Sequence, residues 1–418
     1  MLKHAENLLK DVLLFETPPA QLLVRYFRDN KQLGARDRAV LSDVIYTVFR
    51  EKSYFEYVIQ NHKSCLSFER CLSILGGREH LDWLQRYLSA DEQEWLACIE
   101  EGEGVAGALP HHIRYSLPEW LVAALKEQLG EDEFEAAALT FLEKAPLDLR
   151  ANIMKGKPLQ IQKKLAELGV DTQVTPFSPW GLRTDKKVSL SENPLYLDGS
   201  IEVQDEGSQL LALLVGAKRN EVIVDYCAGA GGKALAMGSM MRDTGRIYAW
   251  DVVAYRLSGL KPRLKRSGLN NVFTAVLSNG EEERVRRLYG KADRVLVDAP
   301  CSGLGTLRRA PELKWYQSPE SVLELSQVQT LILSDACKLV KEGGLLVYAT
   351  CSVLPEENEQ VARLFSARHT EFEMVNMKDL LAARKIDASQ SLVKEGYLRL
   401  WPHRHQTDGF FAAAWRKK

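Results

Sequence analysis

From about residue 205 to its carboxyl end, this chain alternates short apolar runs with longer amphipathic ones. EVIVDYCAG, GRIYAWD, NVFTAVLS, DRVLVDAP and GGLLVYATCS are rich in Val, Ile, Leu and Tyr and have strand length. SQLLALLVGA and SVLELSQVQTLILSDACKLVK lie among them with helical length and spacing. Strand–helix alternation forces right-handed crossovers and a mostly parallel sheet, with FFAAAWRKK as its closing strand. A sheet of that kind binds ligands beyond the carboxyl ends of its strands, beside the point where the strand order reverses. The turns that follow these strands are therefore where chemistry is expected.

The rest of the chain reads differently. Residues 1–140 carry apolar residues at three and four spacing, as in AENLLKDVLLFE, PAQLLVRYFRDN and RAVLSDVIYTVFREKSYFEYVI, which predicts a compact helical domain. Residues 141–205 hold short apolar pieces such as LDLRANIM and a short helix, PLQIQKKLAELG, closed by Gly169, which predicts a small α/β domain. Residues 206–418 form the alternating α/β domain. A length of 418 residues, with 45% hydrophobic and 27% charged residues, suits two or three ordinary globular domains.

No apolar run reaches the roughly 18 residues of a membrane span, and the amino terminus lacks the pattern of a secretory signal. The seven cysteines (Cys65, Cys71, Cys98, Cys227, Cys301, Cys337, Cys351) are odd in number, widely spaced and without a CxxC pair. That pattern argues against disulfide frameworks and zinc sites, and for a reducing, cytoplasmic setting with no metal. A net charge of −1 weighs against phosphate binding over the whole surface. Local basic clusters remain, between Arg256 and Arg294, at Arg308, Arg309 and Lys314, and in the tail from Arg399.

EVIVDYCAGAGGKALAM sets Gly229, Gly231 and Gly232 between a strand and a helix, where glycine lets the backbone approach a ligand closely. A phosphate-binding loop of the GxxxxGK[ST] type fails at Ala228 and Ala234, and a GxGxxG dinucleotide fingerprint fails at Ala234. The next strand ends in Asp251, placed so that one carboxylate can accept both hydroxyls of a ribose. A nucleoside-type cofactor fits this pair of features.

Cys301 in RVLVDAPCSG and Cys351 in LLVYATCS each lie just past a strand and so reach the same crevice. The remaining cysteines read as small buried hydrophobes. Two thiols in one crevice suit chemistry at a pyrimidine. A thiolate adding at carbon 6 turns carbon 5 into an enamine-like nucleophile, dividing one hard step into easier ones. Lys233 is positioned to favour thiolate formation. Asp298 is positioned to bond the cytosine amino edge or to hold a proton at ring nitrogen 3, and the second thiol to help remove the carbon 5 proton. Strand position alone does not say which cysteine attacks.

These residues resemble the RsmB/Sun (Nop/Sun) family of RNA cytosine-5 methyltransferases. The resemblance is carried by QDEGSQ at 204–209, DYCAGAGGK at 225–233, DAPCSGLGTLRRAPELKW at 298–315, ATCSVLPEENE at 349–359 and PHRHQTDGFFAA at 402–413. YFRDNKQLGARDRAVLSDVIYTVFR in the first domain looks like the NusB-like RNA-binding domain of bacterial members. The resemblance implies a Rossmann-like class I methyltransferase domain, S-adenosylmethionine as cofactor and RNA as substrate, ribosomal RNA ahead of transfer RNA. It implies that Cys227, Ala228, Gly229, Ala230, Gly231, Gly232 and Lys233 wrap the cofactor, that Asp251 holds its ribose, that Asn279 contacts its adenine, and that Asp298 lies between cofactor and base. It makes Cys351 the nucleophile and Cys301 the residue that aids release. A monomer is the default expectation.

The chain departs from the family in the glycine turn and at position 279. The turn reads CAGAGGKA where the family has CAAPGGKT, losing a proline and a threonine hydroxyl, and Asn279 stands where aspartate is usual. Two competing readings follow: an RNA-binding assembly factor that has lost activity, and a DNA cytosine methyltransferase in which Cys301 attacks.

Overall fold

The computed structural model describes residues 1–62, 64–101, 109–186, 188–278, 282–387 and 392–418. The chain divides into two compact units, Met1–Lys144 with Leu307–Ser318, and Ala145–Thr306 with Pro319–Lys418.

The first unit is helical, as the three and four spacing predicts. The helix Leu2–Val12 buries Leu2, Ala5, Leu8, Leu9 and Val12 on one stripe, against Val44, Ile45 and Val48 of the long helix Ala35–Asn61 and Leu72 and Leu75 of Phe68–Gly76. Local chemistry starts these helices: Pro19 stands at the first position of Pro19–Asp29. Ser67 Oγ accepts from Arg70 N–H, and Ser89 with Glu92 forms a capping box.

Non-helical backbone at Glu51 kinks the long helix. The carbonyls beside the kink take donors from the Leu307–Ser318 segment: Trp315 Nε1 donates to Phe49 O at 2.8 Å and Lys314 Nζ to Arg50 O at 2.8 Å. In return Arg50 Nη2 donates to Arg308 O at 3.0 Å. A segment that follows the Cys301 motif in sequence thus packs with the amino-terminal helices, a return that the division of the chain at residues 140 and 205 does not anticipate. The signal is present only as a Lys-Trp-Tyr cluster, and nothing in its spacing names a partner.

The second unit holds two sheets. Strands β1 (Leu147–Ala151), β2 (Gln173–Val174), β3 (Gly181–Thr184) and β4 (Ile201–Val203) form a four-stranded antiparallel sheet in the order β2-β3-β1-β4. Leu149, Leu182 and Ile201 pack on Ile161 and Leu165 of the helix Pro158–Glu167.

The larger sheet contains β5 (Val222–Asp225), β6 (Arg246–Asp251), β7 (Val272–Val276), β8 (Ala292–Asp298), β9 (Val340–Thr350), β10 (Phe372–Val375), β11 (Val393–Lys394), β12 (Tyr397–Leu400) and β13 (Phe410–Lys417), in the order β11-β12-β13-β9-β8-β5-β6-β7 with β10 on β13. The stretch β7-β6-β5-β8-β9 is parallel, and β13 runs antiparallel beside β9. This is a Rossmann-like sheet. Its central strands are apolar on both faces because both faces are covered. From β5 the chain moves outward to β6 and β7, then returns to β8 on the other side. The strand order therefore reverses between β5 and β8, and the turns after those strands open a crevice there.

Candidate active site

The glycine turn follows β5. Gly229 and Gly231 have φ of 54° and 78°, values that L side chains rarely adopt. At Gly231 a Cβ would also stand 2.2 Å from Leu260 Cδ1. The turn is stitched to the end of β6: Ala228 N–H donates to Trp250 O at 2.7 Å and Gly229 N–H to Asp251 Oδ2 at 2.8 Å. The other Asp251 oxygen accepts from Val253 N–H at 2.8 Å. Asp251 is thus held rigidly at the mouth of the turn.

A cavity of about 520 Å³ lies beyond these strand ends. Cys227, Gly229 and Asp251 line one part of it, and Asp298, Cys301 and Cys351 another. Tyr226, Leu277 and Ile332 give it apolar walls. A carboxylate fixed at the floor, an open glycine backbone and apolar walls fit the ribose, amino-acid and base portions of a nucleoside such as S-adenosylmethionine. Of the residues marked out by sequence, the structure brings Cys227, Gly229, Asp251, Asp298, Cys301 and Cys351 to one cavity wall. Ala228, Ala230, Gly231 and Gly232 form the turn behind it. Asn279 lies outside the described residues.

Lys233, one residue into the helix Gly232–Met240, reaches back to Asp298, with Nζ 2.5 Å from Oδ2. Burial works against its charge, but Asp298, Asp225 and Cys351 outweigh burial and hold it above the usual lysine range. Asp225 closes β5 beneath the turn, with 1% of its surface exposed. Burial, and then the charge of Asp298, pushes it up to about 7. Asp225 opens the DYCAGAGGK run but received no role from the sequence, because the run does not report how deeply its carboxylate is buried.

Cys301 and Cys351 meet with their sulfurs 3.3 Å apart. The hydrogen bond with Cys351, followed by burial, pushes Cys301 well above the ordinary thiol range. Asn358 holds the Cys351 loop, and the Cys301 loop is locked from behind by Glu357, which is fully buried. Its carboxylate accepts from Ser302 N–H at 2.8 Å, Ser302 Oγ at 2.5 Å and Gln329 Nε2 at 2.9 Å. Gln329 Nε2 also donates to Pro300 O, and Asn358 Nδ2 donates to Ser352 O. The PEENE run marked a family resemblance; its physical role is this lock, which no spacing rule reveals.

A third loop closes the arrangement. Gly305 N–H donates to Cys351 O at 2.8 Å and Gly409 N–H to Gly305 O at 2.7 Å. A Cβ at Gly305 would stand 2.1 Å from Gly409 O and 2.7 Å from Cys351 O, all backbone atoms that cannot step aside. Gly305→Ala is expected to destabilise the protein by about 1–3 kcal/mol. It is also expected to part the two sulfurs, so that transfer activity falls further than the loss of thermal stability accounts for. Melting curves and initial rates on one preparation check this, and an unchanged rate would contradict the packing described.

The profile of the 16S rRNA methyltransferase RsmB/F family matches residues 212–416, and that of the RsmF/B-like ferredoxin-like domain matches residues 117–191. A probable ribosomal RNA small subunit methyltransferase B of Bacillus subtilis is 30% identical over 430 residues, covering 96% of this chain and 95% of that protein. The Synechocystis protein of the same description is 33% identical over 337 residues, covering 80% and 73%. The chain belongs to the RsmB/F family. Its members are S-adenosylmethionine-dependent RNA methyltransferases.

Solved structures agree in fold. PH0851 superimposes with a TM-score of 0.77 at 26% identity over all of this chain and 97% of that one. A methyltransferase homologue from Pyrococcus horikoshii does so with 0.61 at 26% over 74% and 98%. In this RsmB/F chain no helix among the described residues is long and apolar enough to cross a membrane. No group of three or more His, Cys, Asp or Glu side chains among them is arranged to hold a metal ion.

Proposed function

We propose that this RsmB/F protein methylates carbon 5 of a cytosine in small-subunit ribosomal RNA, with Cys351 as nucleophile and Cys301 as the group that frees the product. The observation that carries the reading is the pair of thiols 3.3 Å apart in the cavity wall. S-adenosylmethionine, when bound, supplies an electrophilic methyl group. Residues 227–233 and Asp251 would hold it, with Asn279 toward the adenine.

The chain's own residues perform the rest. The Cys351 thiolate forms a bond to carbon 6, and the ring's electron pair moves onto carbon 5. Lys233 interacts electrostatically with Cys351 and supports the thiolate. Asp298, held in place by Lys233, faces the base and stabilises the adduct through the amino edge or ring nitrogen 3. Before attack, Cys301 is a neutral thiol, held so chiefly by Cys351. Once the Cys351 sulfur is bonded to carbon 6 the largest of these influences disappears, which brings Cys301 back toward the ordinary thiol range. It loses its proton to solvent and can take the proton from carbon 5, after which the carbon 6–sulfur bond breaks and returns the electron pair to Cys351. The sequence of events makes one thiol an acid early and a base late.

The cytosine must leave its helix or be unpaired, because the carbon 6 face has to reach the sulfur. The helices of residues 1–140 are the proposed RNA-gripping domain, those of 141–205 a small α/β domain, and 206–418 the catalytic domain. The test is direct. Unmodified 16S rRNA is incubated with methyl-labelled cofactor and the protein, then digested to nucleosides. Label in 5-methylcytidine is expected. Label in any other nucleoside, or none, sinks the proposal.

A further inference from the structure

The glycine turn is also held from behind, by groups that do not line the cavity. Arg150 on β1 is 4% exposed. Its Nη1 donates to the Gly232 carbonyl at 2.8 Å and to Gln204 Oε1 at 2.7 Å. Arg263, on the helix Leu260–Ser267, donates Nη1 to the Ala230 carbonyl at 2.6 Å. Its Nε lies 3.3 Å from Glu202 Oε1, a carboxylate that Arg266 also pairs with. Among the described residues Arg150 forms no ion pair.

A guanidinium buried without a carboxylate partner is costly, and an apolar residue in its place often serves stability better. Burial, with the nearby charge of Arg263 adding to it and that of Glu202 opposing, pulls Arg150 down to about 10. What Arg150 and Arg263 touch accounts for their presence. Each holds one carbonyl of the same turn, two residues apart, on the side away from the cavity.

We infer that Arg150 and Arg263 are positioning residues for the cofactor, which clamp the Ala230 and Gly232 carbonyls outward and so fix the turn in its ligand-ready shape. The inference rests on the reading of residues 227–233 as the cofactor turn. It also accounts for the missing proline. At Ala230 the backbone is not restrained by a ring, and the Arg263 bond to the Ala230 carbonyl restrains it from outside. No backbone N–H bond of Ala230 stands in the way of a proline there.

The test uses the full chain, with S-adenosylhomocysteine titrated calorimetrically and 16S rRNA affinity measured in parallel. Wild type must bind S-adenosylhomocysteine first; if it does not, the cofactor-turn reading itself fails, independently of the clamp. Arg263→Met, at a side chain still 19% exposed, is expected to weaken S-adenosylhomocysteine binding about tenfold, equivalent to ~1.4 kcal/mol, and to leave rRNA affinity within about twofold. Adding Ala230→Pro to Arg263→Met is expected to recover most of the loss, because the ring restores the restraint. Arg150→Met should weaken cofactor binding more than Arg150→Lys, which keeps one donor. The inference is overturned if Arg263→Met binds S-adenosylhomocysteine within about twofold of wild type, if proline recovers nothing, or if rRNA affinity falls in step with cofactor affinity.

Discussion

Cys351→Ala is expected to abolish methyl transfer, and Cys301→Ala to leave the protein covalently joined to its RNA. Loss of an attacking side chain that acts as part of a unit removes on the order of 10⁴–10⁶ in rate, so Cys351→Ala should show no transfer above background. Cys301→Ala keeps the nucleophile. It removes the sulfur that sits 3.3 Å away and is poised to take the carbon 5 proton, so the reaction proceeds to the methylated adduct and stops. On a denaturing gel, labelled RNA should migrate with Cys301→Ala protein, not with Cys351→Ala, and not with the double variant. The opposite pattern would reverse the two roles and favour the mechanism in which the Pro-Cys thiol attacks. Geometry alone does not make this choice, since both sulfurs line one cavity and touch each other.

This ambiguity shows where sequence stops being informative. The alternation of strands and helices after residue 205 foretells a parallel sheet with functional turns, because side-chain periodicity reports local backbone directly. The antiparallel seat of β13 beside β9 is not foretold, since FFAAAWRKK reads as a strand in either direction. Gly229 and Gly231 are legible because positive φ has a residue signature. Glu357, Gln329 and Gly409 are not: each acts through partners distant in sequence, and buried hydrogen-bond locks leave no period. The same holds for the Leu307–Ser318 segment, whose Lys314 and Trp315 bond to carbonyls exposed by a kink at Glu51. Asp298 and Lys233 could each be named from the sequence as groups of interest, but their contact across 65 positions is a product of the fold.

That contact supports the second large expectation. Asp298→Asn lowers the rate by about 10²–10⁴, the usual span for a positioned acid–base group, and Lys233→Met comes close to it. Each change damages both partners. Without the Asp298 charge, burial at Lys233, whose side chain is only 12% exposed, loses its largest counterweight, and the lysine shifts toward its neutral form. The cation that supports the Cys351 thiolate is then lost as well. Without Lys233, Asp298 loses the bond that holds it in place. Asp298→Asn combined with Lys233→Met should therefore be little worse than the more damaging single change. The double-mutant cycle should return a coupling energy of about 1–3 kcal/mol. Losses that simply add would mean that Lys233 and Asp298 act separately and that the ion pair is only a packing feature of the site.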